Sequence, residues 1–423
     1  MAPGVALTCV NTGKFKTGCL MINLVGKLSG DTAASFALLP RVLLRGSARH
    51  PDMEQITVAL DELYGARIEP IVRKKGEAHC VGFYSDFPDN RFFQGSESVL
   101  EQVANLVFEI LLTPIMKEGL LLAEYIDSEK KNLIDDIQAG INDKRSYSID
   151  RLIEEMCAGE AFATNRLGDV SGVDAITPQS LTAAHRDILK CSRIEILYCG
   201  NAEPEQVRSA MRPLLDGLPE RADVALPDTE VIFYPNSRPP KRFEETLDVA
   251  QGKLAVGFRL GDSMKGIPDY PAFMVFNAIY GAGDVSKLFL NVRERLSLCY
   301  YIGSMLEVYK GVLIVASGID PSNFETALDE ILTQLGQIKD GIISEQELQS
   351  AKNSVITAIM SEMDRPAGLL ELYFSSILSK NLYDPPSLRD MVEAVSADRV
   401  VKIASGVEPD SVYTLKWNRG QRQ

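Results

Sequence analysis

Histidine is scarce and tryptophan scarcer: three imidazoles, His50, His79 and His185, and a single indole stand in 423 residues. No two of these histidines are near enough in sequence to share a helix face, so no His-x3-His pair can close on a metal ion about 2.0–2.3 Å away. Cysteine supplies no substitute. The seven cysteines (Cys9, Cys19, Cys80, Cys157, Cys191, Cys199 and Cys299) contain no Cys-x-x-Cys pair, and the nearest two, Cys191 and Cys199, are eight positions apart. An odd number without a framework spacing fits reduced thiols in a cytoplasm, not the disulfides of a secreted chain. His79 and Cys80 are adjacent, but an alternating strand sends neighbours to opposite faces.

Long apolar runs are missing as well. Nowhere do about 18 consecutive apolar residues occur, the length a membrane helix needs. The opening Met-Ala-Pro-Gly-Val-Ala-Leu-Thr-Cys-Val has no basic region leading into an apolar stretch, so a cytoplasmic chain without a secretion signal is expected. Positive charge is in deficit: 44 Lys and Arg against 58 Asp and Glu leave a formal charge of −14. Such a field repels phosphate backbones and anionic headgroups, which excludes nucleic acid and membrane surfaces as expected partners. Neither a Gly-x-Ser-x-Gly elbow nor a Gly-x4-Gly-Lys phosphate loop is present, although a Ser-His or Cys-His pair assembled by folding stays open.

What the chain has is an ordinary globular composition, 45% apolar and 24% charged, and enough length for two to three domains. It also repeats itself. Val173-Asp-Ala-Ile-Thr-Pro-Gln-Ser-Leu181 matches Val392-Glu-Ala-Val-Ser-Ala-Asp-Arg-Val400 in size and polarity at all but two positions, at an offset of 219. Leu133-Ile134-x-x-Ile137 matches Val355-Ile356-x-x-Ile359 at an offset of 222, each inside a long helical pattern. Ile194–Gly200 and Ser411–Trp417 both read as closing strands. A repeat of half the chain means duplicated domains, not a solenoid. The expected division is residues 1–216 and 242–423, joined across the Pro-rich stretch 217–241, an ordered but exposed linker carrying Pro219, Pro227, Pro235, Pro239 and Pro240.

Within the first half, Val5–Leu28 alternates with Gly breaks and Ile71–Phe87 reads as strand. Ser35–Gly46, Pro51–Tyr64, Val99–Leu112 and Ala123–Met156 read as helix. The Pro51–Tyr64 helix offers Met53, Ile56, Val58, Leu60 and Leu63 as its apolar set, and Phe36, Leu39, Leu43 and Leu44 form another at helical spacing. Strands clustered rather than alternating with helices predict an α+β fold, with helices packed on one face of mainly antiparallel sheets.

Three segments together resemble the pitrilysin or insulinase family of zinc peptidases, in particular the half-length, two-domain subunits similar to mitochondrial processing peptidase. Phe36-Ala-Leu-Leu-Pro-Arg-Val-Leu-Leu-Arg-Gly-Ser47, followed by Pro51–Gly65, is similar to the family's zinc helix, Arg-Gly-Ser turn and second helix. Glu129–Ile137 resembles the helix bearing the last zinc ligand. Gly281-Ala-Gly-Asp-Val-Ser-Lys-Leu-Phe289, running into Val292-Arg-Glu-Arg-Leu-Ser-Leu-Cys-Tyr300, resembles the Gly-rich segment and Arg-Glu-x-x-Gly-Leu-x-Tyr pattern of the C-terminal domain. With the repeat, the likeness covers nearly the whole chain and implies two related domains forming half of a clam-shell chamber.

The departures carry as much meaning. Aligned on Gly46, the family's inverted motif His-x-x-Glu-His falls on Ala37-Leu38-Leu39-Pro40-Arg41. Active members hold zinc between the two imidazoles, and the Glu deprotonates the attacking water. Here Ala37 has no lone pair, Pro40 has neither carboxylate nor backbone N–H, and Arg41 places a fixed positive charge at the metal position. Were Asp136 the distal ligand, one carboxylate beside a cation would hold Arg, not a metal. No register slip rescues the site, because residues 1–49 contain no histidine. Pro40 costs about 3 kcal/mol in a helix interior, which predicts a first turn or a kink there.

In heterodimeric members one subunit carries zinc while the other presents an Arg and a Tyr into the shared chamber, and the matching pair here is Arg293 and Tyr300. Arg can donate to a peptide carbonyl or carboxylate and a phenol to a developing oxyanion. Ser297 stands where the family has Gly, and Asp284-Val285 interrupt the loop that carries Gly281 and Gly283. The resemblance implies a non-catalytic chain without cofactor, a zinc-bearing homologous partner, and a peptide substrate. A structural subunit and a modification-associated accessory protein are the alternatives.

Overall fold

The computed structural model describes residues 2–93, 98–232, 239–265, 269–380 and 383–417. The first half of the chain supplies strands β1 (Val5–Asn11), β2 (Thr17–Lys27), β3 (Arg67–Lys75) and β4 (Ala78–Pro88). A two-residue pair, β5 (Met116–Lys117) and β6 (Leu120–Leu121), and then β7 (Arg193–Gly200) follow. The second half supplies β8 (Lys241–Leu247), β9 (Gly252–Arg259), β10 (Cys299–Glu307), β11 (Val312–Ile319) and β12 (Glu408–Trp417). Two five-stranded sheets result, in the orders β1-β7-β2-β4-β3 and β8-β12-β9-β11-β10. Pairing is parallel only between β1 and β7 and between β8 and β12, and antiparallel elsewhere in both. The sheets therefore share one topology, and the closing strands read from the repeat are β7 and β12.

Contacts divide the chain into two compact units. One holds the residues up to Gln138, Thr164–Asp228 and Glu362–Leu378; the other holds Ala139–Ala163, Thr229–Ser361 and the chain from Ser379 onward. Each half thus contributes a helix to the unit built on the other half's sheet. The helix Lys144–Met156 packs on β9 and β12, and the helix Pro366–Leu378 packs on β7 and β2.

In the first unit, Leu20, Ile22 and Leu24 of β2, Val81, Phe83 and Phe87 of β4, and Ile194 and Ile196 of β7 share a core with the helices Gly30–Leu43, Val99–Leu112 and Pro178–Cys191. The alternate residues Cys19, Met21, Val25, Cys80, Leu197 and Cys199 meet Leu369, Leu370 and Phe374 of the exchanged helix. Because both faces are covered, these central strands are apolar at nearly every position, and period-2 alternation is blurred. In the second unit Leu152, Ile153 and Met156 pack against Ala255, Ile314, Tyr413 and Leu415. Gly257 makes that approach possible, since a Cβ there would collide with Met156 Sδ. The helices Tyr270–Tyr280, Phe324–Lys339 and Ala397–Ser405 pack together in the same unit.

Several local expectations change. The helical run expected over Ala123–Met156 is two helices, Ala123–Asn142 and Lys144–Met156. Asp143 separates them by capping the second, accepting from Arg145 N at 3.1 Å and Ser146 Oγ at 2.6 Å. Of the apolar set assigned to the helix Met53–Glu62, Ile56 and Leu63 are buried, while Met53 and Val58 are exposed. Pro40 neither opens nor interrupts its helix: it lies in the last turn of Gly30–Leu43, where Leu44 N still donates to its carbonyl at 3.2 Å. Its missing N–H removes one intrahelical donor, the one that would face the carbonyl of Phe36.

Residues 233–238 of the Pro-rich stretch, Pro235 among them, fall outside the described residues. Near its start the stretch is tied to the first unit: Arg221 Nη1 donates to Leu189 O at 2.9 Å, and Gly4 N donates to Asp223 Oδ1 at 2.8 Å. Among the described residues no helix is long and apolar enough to cross a membrane.

Candidate functional site

The helix Gly30–Leu43 begins at Ser29, whose hydroxyl accepts from Asp31 N at 3.4 Å. Its buried stripe runs through Ala33, Ala37, Leu38, Leu39, Pro40, Val42 and Leu43, with Phe36 and Leu44 half-buried beside it. Ala37 and Pro40, two of the degenerate metal positions, are thus core residues. Arg41 instead reaches outward, and its Nη2 donates to Asp136 Oδ2 at 2.7 Å. Two turns earlier on the same helix as Asp136, the buried Glu129 accepts from Arg45 Nη1 at 3.3 Å and Asn132 Nδ2 at 3.1 Å. Both carboxylates that face this helix are therefore taken by guanidinium groups. A zinc ion does not fit here: two of the three positions lack any donor atom and the third carries a cation. Among the described residues no three His, Cys, Asp or Glu side chains gather in a way that could hold a metal ion.

The Arg-Gly-Ser turn that follows is a packing device. A Cβ on Gly46 would sit 2.5 Å from Pro51 O. Ser47 is fully buried and its hydroxyl donates to Glu109, whose Oε1 also receives His50 Nδ1 at 3.1 Å and Arg49 N at 3.2 Å. Serine, histidine and carboxylate meet, but the hydroxyl bonds the carboxylate instead of the imidazole, so nothing prepares it as a nucleophile. The other two imidazoles lie in the core. His185 Nε2 pairs with Leu111 O at 2.7 Å, and burial holds His79 down to about 4, with the charges of Arg166 and Lys74 acting in the same direction.

The Gly281–Tyr300 segment lies in the second unit. Gly281 closes the helix Tyr270–Tyr280, and a Cβ on it would lie 2.7–2.8 Å from Ser304 and Leu288. That closeness lets Gly281 O accept from Ser304 N of β10 at 3.0 Å, while Ser304 Oγ donates to Asn277 Oδ1 at 2.6 Å. Gly283 has φ +119°, a value side chains rarely tolerate. Phe289–Arg295 then forms a π-helical turn, a widened geometry that recurs at functional sites. Arg293 rides on its last turn, its guanidinium 4.7 Å from the Phe289 ring centre and 3.5 Å from Glu294 Oε1. Ser297 adopts φ +50°. The left-handed turn that a glycine would favour is kept although the glycine is gone. β10 opens immediately afterwards with an irregular register between Cys299 and Tyr301. Tyr300 projects from this irregularity, 69% exposed, and its hydroxyl forms no hydrogen bond among the described residues. Burial pushes the neighbouring Cys299 thiol up to about 11, against the pull of the nearby Arg293 charge.

A buried ion cluster had no counterpart in the sequence reading. Glu160, just beyond the helix Lys144–Met156, accepts from Arg259 Nη2 at 2.6 Å and Nη1 at 3.1 Å, and pairs with Lys310 Nζ at 2.7 Å. Asp410 Oδ2 lies 3.5 Å from Arg259 Nε. All four side chains are buried. Burial alone would raise the Glu160 carboxyl, but the hydrogen bonds from Arg259 and Lys310 outweigh it and hold the group below the usual carboxylate range. The residues come from four separate segments, so no spacing rule could have found them.

Residues 175–355 match the family model described as Peptidase M16 inactive domain. The chain is 32% identical over 417 residues to the "Probable inactive metalloprotease YmfF" of Bacillus subtilis (strain 168), covering 99% of this chain and 97% of that protein. It is 23% identical over 298 residues to "Antilisterial bacteriocin subtilosin biosynthesis protein AlbE" of Bacillus subtilis, covering 70% and 72%. A conserved protein from Enterococcus faecalis V583, known as a crystal structure, superposes with a TM-score of 0.90 at 25% identity, over 99% of this chain and 98% of that one. With Ala37, Pro40 and Arg41 in place of metal ligands and base, the chain belongs to the M16 peptidase family as a non-catalytic member.

Proposed function

We propose that this chain is the non-catalytic subunit of a two-chain, cytoplasmic peptidase-like complex, lending Arg293 and Tyr300 to the site of a homologous zinc-bearing partner that processes peptides. The observation that carries the reading is Tyr300: a large aromatic exposed at the start of an edge strand, its hydroxyl without a hydrogen bond among the described residues, behind a Ser297 whose left-handed backbone is kept at a steric cost. Strain retained without a glycine to relieve it accompanies positions whose geometry is used. In such a site Arg293 would donate to a peptide carbonyl or carboxylate, and the phenol to a developing oxyanion.

The test is steady-state cleavage by the chain reconstituted with the zinc-bearing homologue. Arg293→Ala and Tyr300→Phe should each lower turnover by up to about 100- to 1000-fold, the range for losing one preorganised donor, without loss of assembly. Wild-type turnover in both would leave the two as packing residues. The likeness to AlbE favours a second reading, an accessory protein that binds one defined client during a peptide modification. Under that reading no zinc-bearing homologue co-purifies with the chain.

A further inference from the structure

Four Lys or Arg side chains are at or below 9% exposure among the described residues: Lys253, Arg259, Lys287 and Lys310. Three of them meet a carboxylate. Arg259 and Lys310 share Glu160, and Lys287 Nζ lies 2.7 Å from Glu347 Oε1. Lys253, on β9, donates only to the neutral Gln251 Oε1 at 2.8 Å and has no ion pair among the described residues. In a chain with fourteen more acids than bases, a buried ammonium without an ion pair among the described residues is an exception that calls for a cause.

Its surroundings repeat the pattern. Lys253 pairs across the sheet with Gly318 of β11, and the missing side chain there makes the slot in which the Tyr301 ring and Gln251 lie. Lys253 Nζ is 5.3 Å and Arg145 Cζ 4.8 Å from the centre of that ring. Arg145 is exposed and its guanidinium makes neither a hydrogen bond nor an ion pair among the described residues. The Tyr301 hydroxyl is buried and has no hydrogen-bond partner among them. The acid that acts on both Lys253 and Tyr301 is Asp143, which is exposed to solvent and accepts from Ser146 Oγ and Arg145 N without bonding Lys253 or Tyr301. Two cations thus lie against the ring of a phenol whose hydroxyl has no acceptor among the described residues.

We infer that Lys253, Arg145 and the Tyr301 hydroxyl form a carboxylate-binding subsite, whose ligand in the peptide-handling role proposed above is the free C-terminus of a peptide. A carboxylate has two oxygens in one plane, so it can take the guanidinium on one side and the ammonium and phenol on the other. Arg145 is the exposed member of the group, and Lys253, at 9% exposure, the buried one. This inference rests on the peptide-binding reading for the source of the carboxylate, but not for the site.

The experiment uses the full chain and two probes. The first is an N-acetylated hexapeptide of alternating Leu and Ala, as free acid and as C-terminal amide, titrated calorimetrically. The free acid should bind about tenfold or more tightly than the amide, the worth of a charge-assisted hydrogen bond, and Lys253→Met should erase the difference. Equal binding of acid and amide, or a preference that survives Lys253→Met, overturns the subsite. The second probe is acetate against chloride at matched ionic strength, read as thermal midpoint. If neither peptide binds, the peptide-binding reading fails and acetate decides the site. A midpoint raised in the wild type and unmoved in Lys253→Met supports it; no difference between the two proteins refutes it. Lys253→Met removes a buried charge that has no ion pair among the described residues, so the variant should fold, and Tyr301→Phe, which leaves the ring in its slot, should weaken free-acid binding without touching amide binding.

Discussion

Glu160→Ala tests what fastens the exchanged helix Lys144–Met156 to the second sheet. In the folded chain Glu160 and Asp410 balance Arg259 and Lys310, with side-chain exposures of 6%, 8%, 3% and 0%. Removing Glu160 takes away the carboxylate that both cations share. Lys310 retains its bond to the carbonyl of Glu230, and Arg259 retains the carbonyl of Met156 and a 3.5 Å approach to Asp410. Breaking a buried pair from one side costs about 3–5 kcal/mol, because the partner's desolvation is no longer offset. Urea unfolding at neutral pH should show a loss of that size, and hydrogen exchange should locate it in residues 144–163 and the strands beneath. Acid should act on the wild type in the same direction. A carboxyl held below its unfolded value gives stability that is complete above that value and lost as pH falls through the folded one, so this contribution disappears below the ordinary carboxylate range. Replacing Glu160, Arg259 and Lys310 together with apolar residues of similar volume should recover most of the loss. A Glu160→Ala protein within about 1 kcal/mol of wild type, with unchanged exchange over 144–163, would refute the view that these charges hold the segment.

Two smaller perturbations follow from the geometry. Ser297→Gly should stabilise the chain by about 1 kcal/mol, because it relieves a left-handed backbone at φ +50°; chemical unfolding reads the sign, and a loss would show that the Ser297 side chain contributes more than its conformation costs. His79, fully buried and held down to about 4 mainly by burial, binds its proton less readily folded than unfolded. Stability from keeping it neutral is complete above about pH 6.5 and declines toward pH 4, by about 3 kcal/mol over the window, and His79→Gln should flatten that part of the pH-stability curve.

The legible parts of the molecule were those set by local pattern. The strands β7 and β12 and the helices Ala123–Asn142 and Glu345–Met363 carry the repeat because equivalent positions in two copies of one topology face equivalent cores. The capped start of Pro178–Cys191 at Thr177 and of Ala397–Ser405 at Ser396 is the same signal, a hydroxyl 219 residues apart in the chain. The missing imidazoles were legible without any structure, since an absent residue type needs no geometry. The exchange of helices was not. Lys144–Met156 and Pro366–Leu378 have ordinary apolar faces, and an apolar face does not encode which of two similar sheets it will cover. The Arg41–Asp136 contact was legible through the resemblance, whereas Lys253 and Tyr301 lie 48 positions apart in strands separated by β11.

Restoring the lost motif by Ala37→His, Pro40→Glu and Arg41→His should not restore a metal site. Position 37 is wholly enclosed by the first unit's core, so an imidazole there overpacks at a cost of about 1–3 kcal/mol and has no route to point outward without turning the helix. The Pro40→Glu change would regain the amide that Pro40 lacks but would bring a carboxylate to a buried position with no cation assigned to it, and losing Arg41 frees Asp136 into solvent. Arg45 would still occupy Glu129. The ligand set would thus be one misplaced imidazole, one exposed imidazole and carboxylates already engaged or solvated. The triple variant should be less stable than wild type by about 2 kcal/mol or more and hold no stoichiometric zinc by elemental analysis. One tightly bound zinc per chain in a folded triple variant would show instead that the core around residue 37 still has the shape of a metal site.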